Sequence, residues 1–131
     1  MFYISNRKEN LQMEAVKRLL GQTYWAQNRT EDLIRRSIEH SECYGVYLKD
    51  TNRQIGFARV VTDYVGMFYL SDVIVDRDYR GMGVGKALIE AIVSDERFVH
   101  LRGLLATSNA HEFYRKFGFQ TTSEKYMCRE P

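Results

Sequence analysis

The seven residues Arg80-Gly81-Met82-Gly83-Val84-Gly85-Lys86 constrain this chain most, because of the segments on either side of them. Ahead of them, Tyr69-Leu70-Ser71-Asp72-Val73-Ile74-Val75 is rich in β-branched and aromatic residues and reads as a largely buried strand. Behind them, Ala87-Leu88-Ile89-Glu90-Ala91-Ile92-Val93 has the apolar spacing of one helix face. A strand, a glycine-rich turn and a helix together form an anion site. Glycines let backbone N–H groups come close, and the helix N-terminus adds partial positive charge. Arg80 and Lys86 add formal charge beside it, so the region is expected to hold a phosphate-bearing ligand rather than to be a bare surface turn.

Spacing narrows the ligand. In a Walker loop, Arg80 would have to be glycine and Ala87 a magnesium-binding Ser or Thr. In a dinucleotide fingerprint counted from Gly81 and Gly83, Lys86 would have to be glycine. What remains is Arg-x-x-Gly-x-Gly on Arg80, Gly83 and Gly85. On a strand–turn–helix this pattern resembles the acetyl-CoA pyrophosphate loop of the GCN5-related N-acetyltransferase (GNAT) family.

A second segment carries the same resemblance. Thr107 to Phe119 is similar to the family's later motif, a helix ending in Tyr-x-x-x-Gly-Phe, with Tyr114, Gly118, Phe119 and Ala110 at matching positions. Many relatives carry asparagine seven residues before the tyrosine; this chain has Thr107 there and Asn109 two places on. The resemblance covers roughly residues 42–119, and the first 41 residues fit the family's variable acceptor-side region.

The rest of the chain suits a single compact domain over 1–131. With 44% hydrophobic and 13% aromatic residues it has material for one sizeable core. A formal net charge of +2, spread along the chain, argues against a nucleic-acid partner. Cys43 and Cys128 fit no metal-ligand spacing, and Cys43 in an apolar strand reads as a small buried thiol. With no signal peptide and no long apolar span, the expectation is a cytoplasmic protein with no membrane partner.

Apolar spacing gives the elements. A short strand is expected near Phe2–Ile4. A helix follows through Met13, Val16, Leu19 and Leu20, stopped at Gly21, and then a second helix capped by Thr30 with Leu33, Ile34 and Ile38 inside. Strands are expected near 42–48, 54–63 and 68–75, then a helix to about Glu96, a strand at 104–106 and a helix from Ala110 to Lys116. A last pair of strands is expected to close the chain. The order β-α-α-β-β-β-α-β-α-β-β, an α/β mixed sheet with helices on both faces, is also the element order of the GNAT fold.

The resemblance implies direct transfer of acetyl from acetyl-CoA, as co-substrate and without a metal, to a primary amine held beside it. The pyrophosphate cradle falls to Arg80, Gly81, Met82, Gly83, Val84, Gly85 and Lys86. The pantetheine track falls to the strand of Val73 and Val75, with Val73 the expected backbone donor to the thioester oxygen and Asn109 the candidate for a side-chain contact to the pantetheine arm. Tyr114 holds the position of the family's general acid. The base is less defined. Diamine acetyltransferases of this fold carry glutamate where this chain has Ser71, so their mechanism does not transfer directly. Asp72, an acid inside an apolar strand, has either acceptor-side chemistry or a structural hydrogen bond to perform. Asp63, His111, Glu112 or a water chain are the other candidates.

Substrate recognition centres on Tyr24, Trp25 and Arg29, together with Ser71. The two aromatics either line the acceptor cleft or plug the helix pair onto the sheet, and Arg29 in the cleft would favour a carboxylate-bearing acceptor. The leading reading is acetylation of a small-molecule amine. The alternatives are protein or peptide N-acetylation and an acetyl-CoA-binding sensor without turnover. Dimers are common in the family, and Thr121 to Arg129 is the segment that would supply an exchanged strand.

Overall fold

The computed structural model describes residues 1–122 and 124–131. Five strands form one mixed sheet in the order β1-β2-β3-β4-β5: Phe2–Ser5, Glu42–Leu48, Gln54–Thr62, Met67–Val75 and Arg102–Leu104. The first four pair antiparallel, and β5 joins β4 in parallel. That parallel step requires a crossover, supplied by the helix α3, Val84–Val93. Helices α1 (Met13–Leu20) and α2 (Glu31–Glu39) precede β2, and α4 (His111–Arg115) follows β5.

Each helix forms for a local reason. Thr30 caps α2 by accepting the Leu33 N–H at 3.2 Å, with Glu31 and Asp32 in the first turn. Gly21 ends α1 in a right-handed conformation, its N–H bonded to Lys17 O at 2.9 Å, so it stops the helix without a left-handed turn. The apolar faces lie on opposite sides of the sheet. Leu88, Ile89 and Ile92 of α3 meet Tyr44, Val46, Phe68 and Leu70 on one side. Val16, Leu19 and Leu20 of α1 and Ile34 of α2 meet Cys43, Phe57 and Ile74 on the other. Cys43 is a buried free thiol, its pKa pushed up to about 11 by burial.

One irregularity shapes everything near the site. Between Phe57 and Arg59 of β3, β4 advances from Ile74 to Ser71, one residue more than its partner. The extra residue is a bulge at Asp72–Val73, and Asp72 takes φ +54°. The bulge reverses the inside–outside alternation. Phe68 and Leu70 before it face the α3 core, as do Val73 and Val75 after it, while Ile74 turns to the α1 side. An even alternation could not place all four on one face.

The expected closing pair of strands is not formed among the described residues: no strand follows α4. Beyond Phe119 the described tail is exposed and mostly polar, with Tyr126, Met127 and Cys128 its one short apolar run. Too little apolar surface is present to hold a hairpin against the three-residue β5. Other boundaries shift by a few residues: α3 ends at Val93 and β5 begins at Arg102. Among the described residues, no helix is long and apolar enough to cross a membrane.

Candidate active site

The cleft opens where two parallel strands part. β4 and β5 are paired only at Met67–Arg102, Phe68–Gly103 and Tyr69–Leu104. From Leu70 onward β4 has no partner on that side, and a cavity of about 850 Å³ fills the gap. The remainder of β4 forms its floor, from Leu70 to Val75. Tyr24, Trp25 and Arg29 stand on one wall, and Leu105 to Ala110 with Phe113 and Tyr114 on the other. Val73 and Val75 are therefore on a strand whose edge backbone is open to a ligand, as expected of a track.

The glycine loop lies at one end. Gly81 and Gly83 have φ +78° and +81°, left-handed values that L side chains adopt at a cost, and a Cβ at either would meet nothing within 4 Å. Gly83 is the N-cap of α3, and Ala87 N–H, bonded to Gly83 O at 3.1 Å, is the first helix amide with a backbone acceptor. The amides of Val84, Gly85 and Lys86 stand free at the positive end of the helix. Arg80 and Gly85 line the cleft itself; Gly81, Met82, Gly83 and Lys86 are exposed, and the Val84 side chain is core. Gly85 has no positive φ, and a Cβ there would meet the Phe113 ring at an ordinary 3.6 Å. Arg80 is pinned by donating from Nε to Val75 O at 3.2 Å. Open space, free amides and one fixed guanidinium suit a pyrophosphate.

Tyr114 faces the cleft from α4, its ring edge-on to Phe113 (5.1 Å) and Phe119 (6.0 Å). Burial raises its phenol above the usual value. Thr107 and Asn109 both line the cleft, and Thr107 Oγ1 also accepts the Ala110 N–H at 3.0 Å at the start of α4. Thr107 thus orders the turn that leads into α4.

At the other end Asp72 is almost completely enclosed, its side chain 1% exposed. Its Oδ2 accepts from Arg29 Nη1 at 2.6 Å and from Arg59 Nε at 3.0 Å, while Oδ1 is buried without a partner. Burial pushes the carboxyl up, but the hydrogen bonds from Arg29 and Arg59 outweigh it and hold the pKa below the ordinary value. Arg59 is fully engaged, giving Nη1 to Ser41 Oγ at 2.8 Å and a long contact from Nη2 to Ser71 Oγ at 3.4 Å. These partners fit the structural hydrogen-bond reading of Asp72. Arg59 was not among the sequence candidates. A basic residue in an otherwise apolar strand, with an acid in the apolar strand that follows, was the available signal.

The two aromatics are not a plug. Tyr24 is 67% and Trp25 46% exposed, packed edge-on at 5.1 Å, and Tyr24 Oη shares a 2.6 Å hydrogen bond with Ser108 Oγ across the cleft. Ser108 is a second residue the sequence did not single out. The remaining base candidates lie elsewhere. Asp63 is taken up by the amides of Val65 and Gly66 in the β3–β4 turn, Glu112 pairs with Arg115, and His111 faces a different groove.

Two parallel strands that part beside an anion-binding helix N-terminus define a class of acyl-thioester transferase folds, and similarity to known proteins narrows it to one. The profile of the acetyltransferase (GNAT) domain matches residues 39–121, and the chain belongs to that family. A protein from Xanthomonas campestris pv. campestris assigned to the GNAT acetyltransferases has the same fold, with TM-score 0.92 and 36% identity over 100% of this chain and 94% of that one. Serotonin N-acetyltransferase 2, chloroplastic, of Oryza sativa subsp. japonica is 37% identical over 70% of this chain, and histone acetyltransferase TAP1 of Glycine max 39% identical over 57%. The chain spans 48% and 33% of the length of those two plant proteins.

Proposed function

We propose that the protein is an N-acetyltransferase that moves acetyl from acetyl-CoA to a primary amine of a small molecule within a ternary complex. The observation that carries this is the divergence of β4 from β5 beyond the Tyr69–Leu104 pair, directly beside the positive-φ loop that begins α3. When bound, acetyl-CoA supplies an acyl carbon activated by a thiol leaving group. The free amides of Val84 to Lys86 and the Arg80 guanidinium hold the pyrophosphate. The open backbone edge at Val73 and Val75 holds the pantetheine amides, with Asn109 facing them. The Val73 N–H stabilises the charge that develops on the carbonyl oxygen.

Proton bookkeeping falls to two places. Tyr114 donates to the departing sulfur; a phenol is protonated at neutral pH, and burial raises this one further. Asp72 is the one carboxylate lining the cleft, and it is already shared by two guanidiniums. Its part is to fix Arg29 and Arg59, and the acceptor ammonium loses its proton to cleft water. The neighbouring arginine charge assists, because like charges favour the neutral amine. The Tyr24–Ser108 hydrogen bond joins the two walls and favours a small acceptor over a segment of protein. Cytoplasmic action and self-association belong to the same reading.

Calorimetric titration with acetyl-CoA tests the proposal. Wild-type protein is expected to bind, and an Arg80→Ala, Gly83→Ala double variant to bind at least about tenfold more weakly, having lost a charge-assisted contact and the loop geometry. A wild type that does not bind acetyl-CoA would refute the assignment.

A further inference from the structure

We infer that the amine acceptor carries a carboxylate, and that Arg29, fixed on Asp72, is the residue that selects it; the inference rests on the acetyltransferase reading above. Positive charge gathers around the floor of the cleft. Two guanidiniums, Arg29 and Arg59, converge on a single carboxylate oxygen of Asp72. One negative charge between two positive ones leaves the cluster with an excess of one positive charge. Among the described residues no other acidic side chain lines the cavity, and Arg80 adds a further cation toward its phosphate end. An acceptor with a second ammonium would meet net repulsion here, and one with an anionic group would complete the balance.

The donors then locate where that group sits. Arg59 is 14% exposed, and each of its three nitrogens already faces a protein acceptor. Arg29 is 30% exposed, lines the cleft, and uses Nη1 alone; its Nε and Nη2 have no partner among the described residues. A guanidinium anchored through one nitrogen presents its remaining N–H groups in a fixed plane, the geometry that a carboxylate accepts with two oxygens. Anchoring also removes most of the rotamer freedom that would otherwise be lost on binding. Ser71 Oγ, which receives only the long Arg59 contact, borders the same space, and Trp25 offers an apolar face for the carbon chain between amine and acid. Ser71 thus stands where a base would favour a diamine, and the arginine cluster beside it favours an amino acid.

A panel of equal chain length gives the test: 4-aminobutanoate, butylamine and 1,4-diaminobutane, then glycine, β-alanine and 6-aminohexanoate to vary the reach, and tyrosine against tyramine. CoA release is measured for wild type, Arg29→Gln and Arg29→Lys, with acetyl-CoA affinity of each by calorimetry as the control for folding and for the cofactor site. The expected result is wild-type kcat/KM at least about tenfold higher for a carboxylate-bearing amine than for its uncharged or dicationic partner. Arg29→Gln should abolish that preference through acceptor KM more than kcat, with unchanged acetyl-CoA affinity, and Arg29→Lys should restore part of it. Acetyl-CoA binding together with turnover of only neutral or dicationic amines, or of none, overturns the inference and leaves the cofactor assignment standing. So does an Arg29→Gln variant that loses acid and neutral acceptors equally. Absence of acetyl-CoA binding by wild type overturns the underlying reading as well.

Discussion

A phenol can serve as an acid at neutral pH only if it stays protonated there and can reach the atom that needs the proton. Any phenol meets the first condition, and burial of Tyr114 against Phe113 and Phe119 raises its pKa further; the proposed role of Tyr114 meets the second because the side chain lines the cleft. In the proposed mechanism the protonated form is the working one, so a raised pKa should move the alkaline loss of activity upward, above the ordinary phenol value of about 10. Replacing Tyr114 with Phe keeps the ring packing and removes the proton. Turnover should fall by about 100-fold, in the range of general-acid contributions, with acetyl-CoA affinity unchanged. The acidic limb of the pH–rate profile, which belongs to the acceptor ammonium, should persist in the variant, and the alkaline limb should vanish. An unchanged alkaline limb would remove Tyr114 from proton transfer. Position in the sequence motif singled this residue out among nine tyrosines, and the structure places it against the cleft. Nothing in the motif foretold Arg59 or Ser108, whose roles arise from strand register and from the approach of two distant connections.

At the scale of elements, the bulge in β4 sets both the floor of the cleft and the position of Asp72. A left-handed φ at a non-glycine residue is a strained choice that Asp and Asn tolerate best. Asp72→Asn should therefore preserve the bulge but leave two guanidiniums without their anion, costing about 2–3 kcal/mol after allowance for the partial exposure of Arg29. Asp72→Ala should cost about 1 kcal/mol more, for the left-handed backbone. Urea unfolding measures both, and equal losses would show that the backbone conformation contributes nothing to the choice of residue. Element order as far as α4 was legible because each helix and strand carries its own apolar period and its own cap or turn. The bulge was not, because Ser71-Asp72-Val73 reads as simple alternation until the register with β3 is known. A closing pair of strands was expected to complete the chain, but residues 120–131 carry no sustained apolar alternation, and the described tail does not form the pair.

Across the whole molecule, elements distant in sequence are joined by polar clusters as well as by the sheet, and one of these ties β2 and the β3–β4 turn to the segment after α3. Arg97, after α3, donates through Nη1 to Glu42 at the start of β2 at 2.8 Å, and pairs with Asp95 through Nε at 3.0 Å and Nη2 at 2.8 Å. Tyr44 of β2 donates to Asp95 Oδ2 at 2.6 Å, Tyr64 of the β3–β4 turn bonds Glu42, and the Arg97 guanidinium lies 4.9 Å above the Phe98 ring. The hydrogen bonds of Arg97 hold the Asp95 carboxyl far below the usual range, and burial only partly offsets them. At Glu42 burial acts upward, but Tyr64 and Arg97 prevail and the pKa is again lowered. Asp72 adds a third depressed carboxyl in its own cluster. A group whose folded pKa is depressed contributes stability that is complete above its unfolded value and is lost as pH falls through the folded one. The protein should therefore melt at a nearly constant temperature from about pH 5 to 8 and lose stability steadily below about pH 4. Asp95→Asn should lower the neutral-pH plateau by about 1–2 kcal/mol, given that Arg97 is 35% exposed. It should also flatten the acid decline, since the variant has one fewer carboxylate to protonate. Calorimetric melts of both proteins between pH 2 and 8 decide the matter. A decline as steep in the variant as in wild type would mean that the cluster linking β2 to the segment after α3 is not where acid acts.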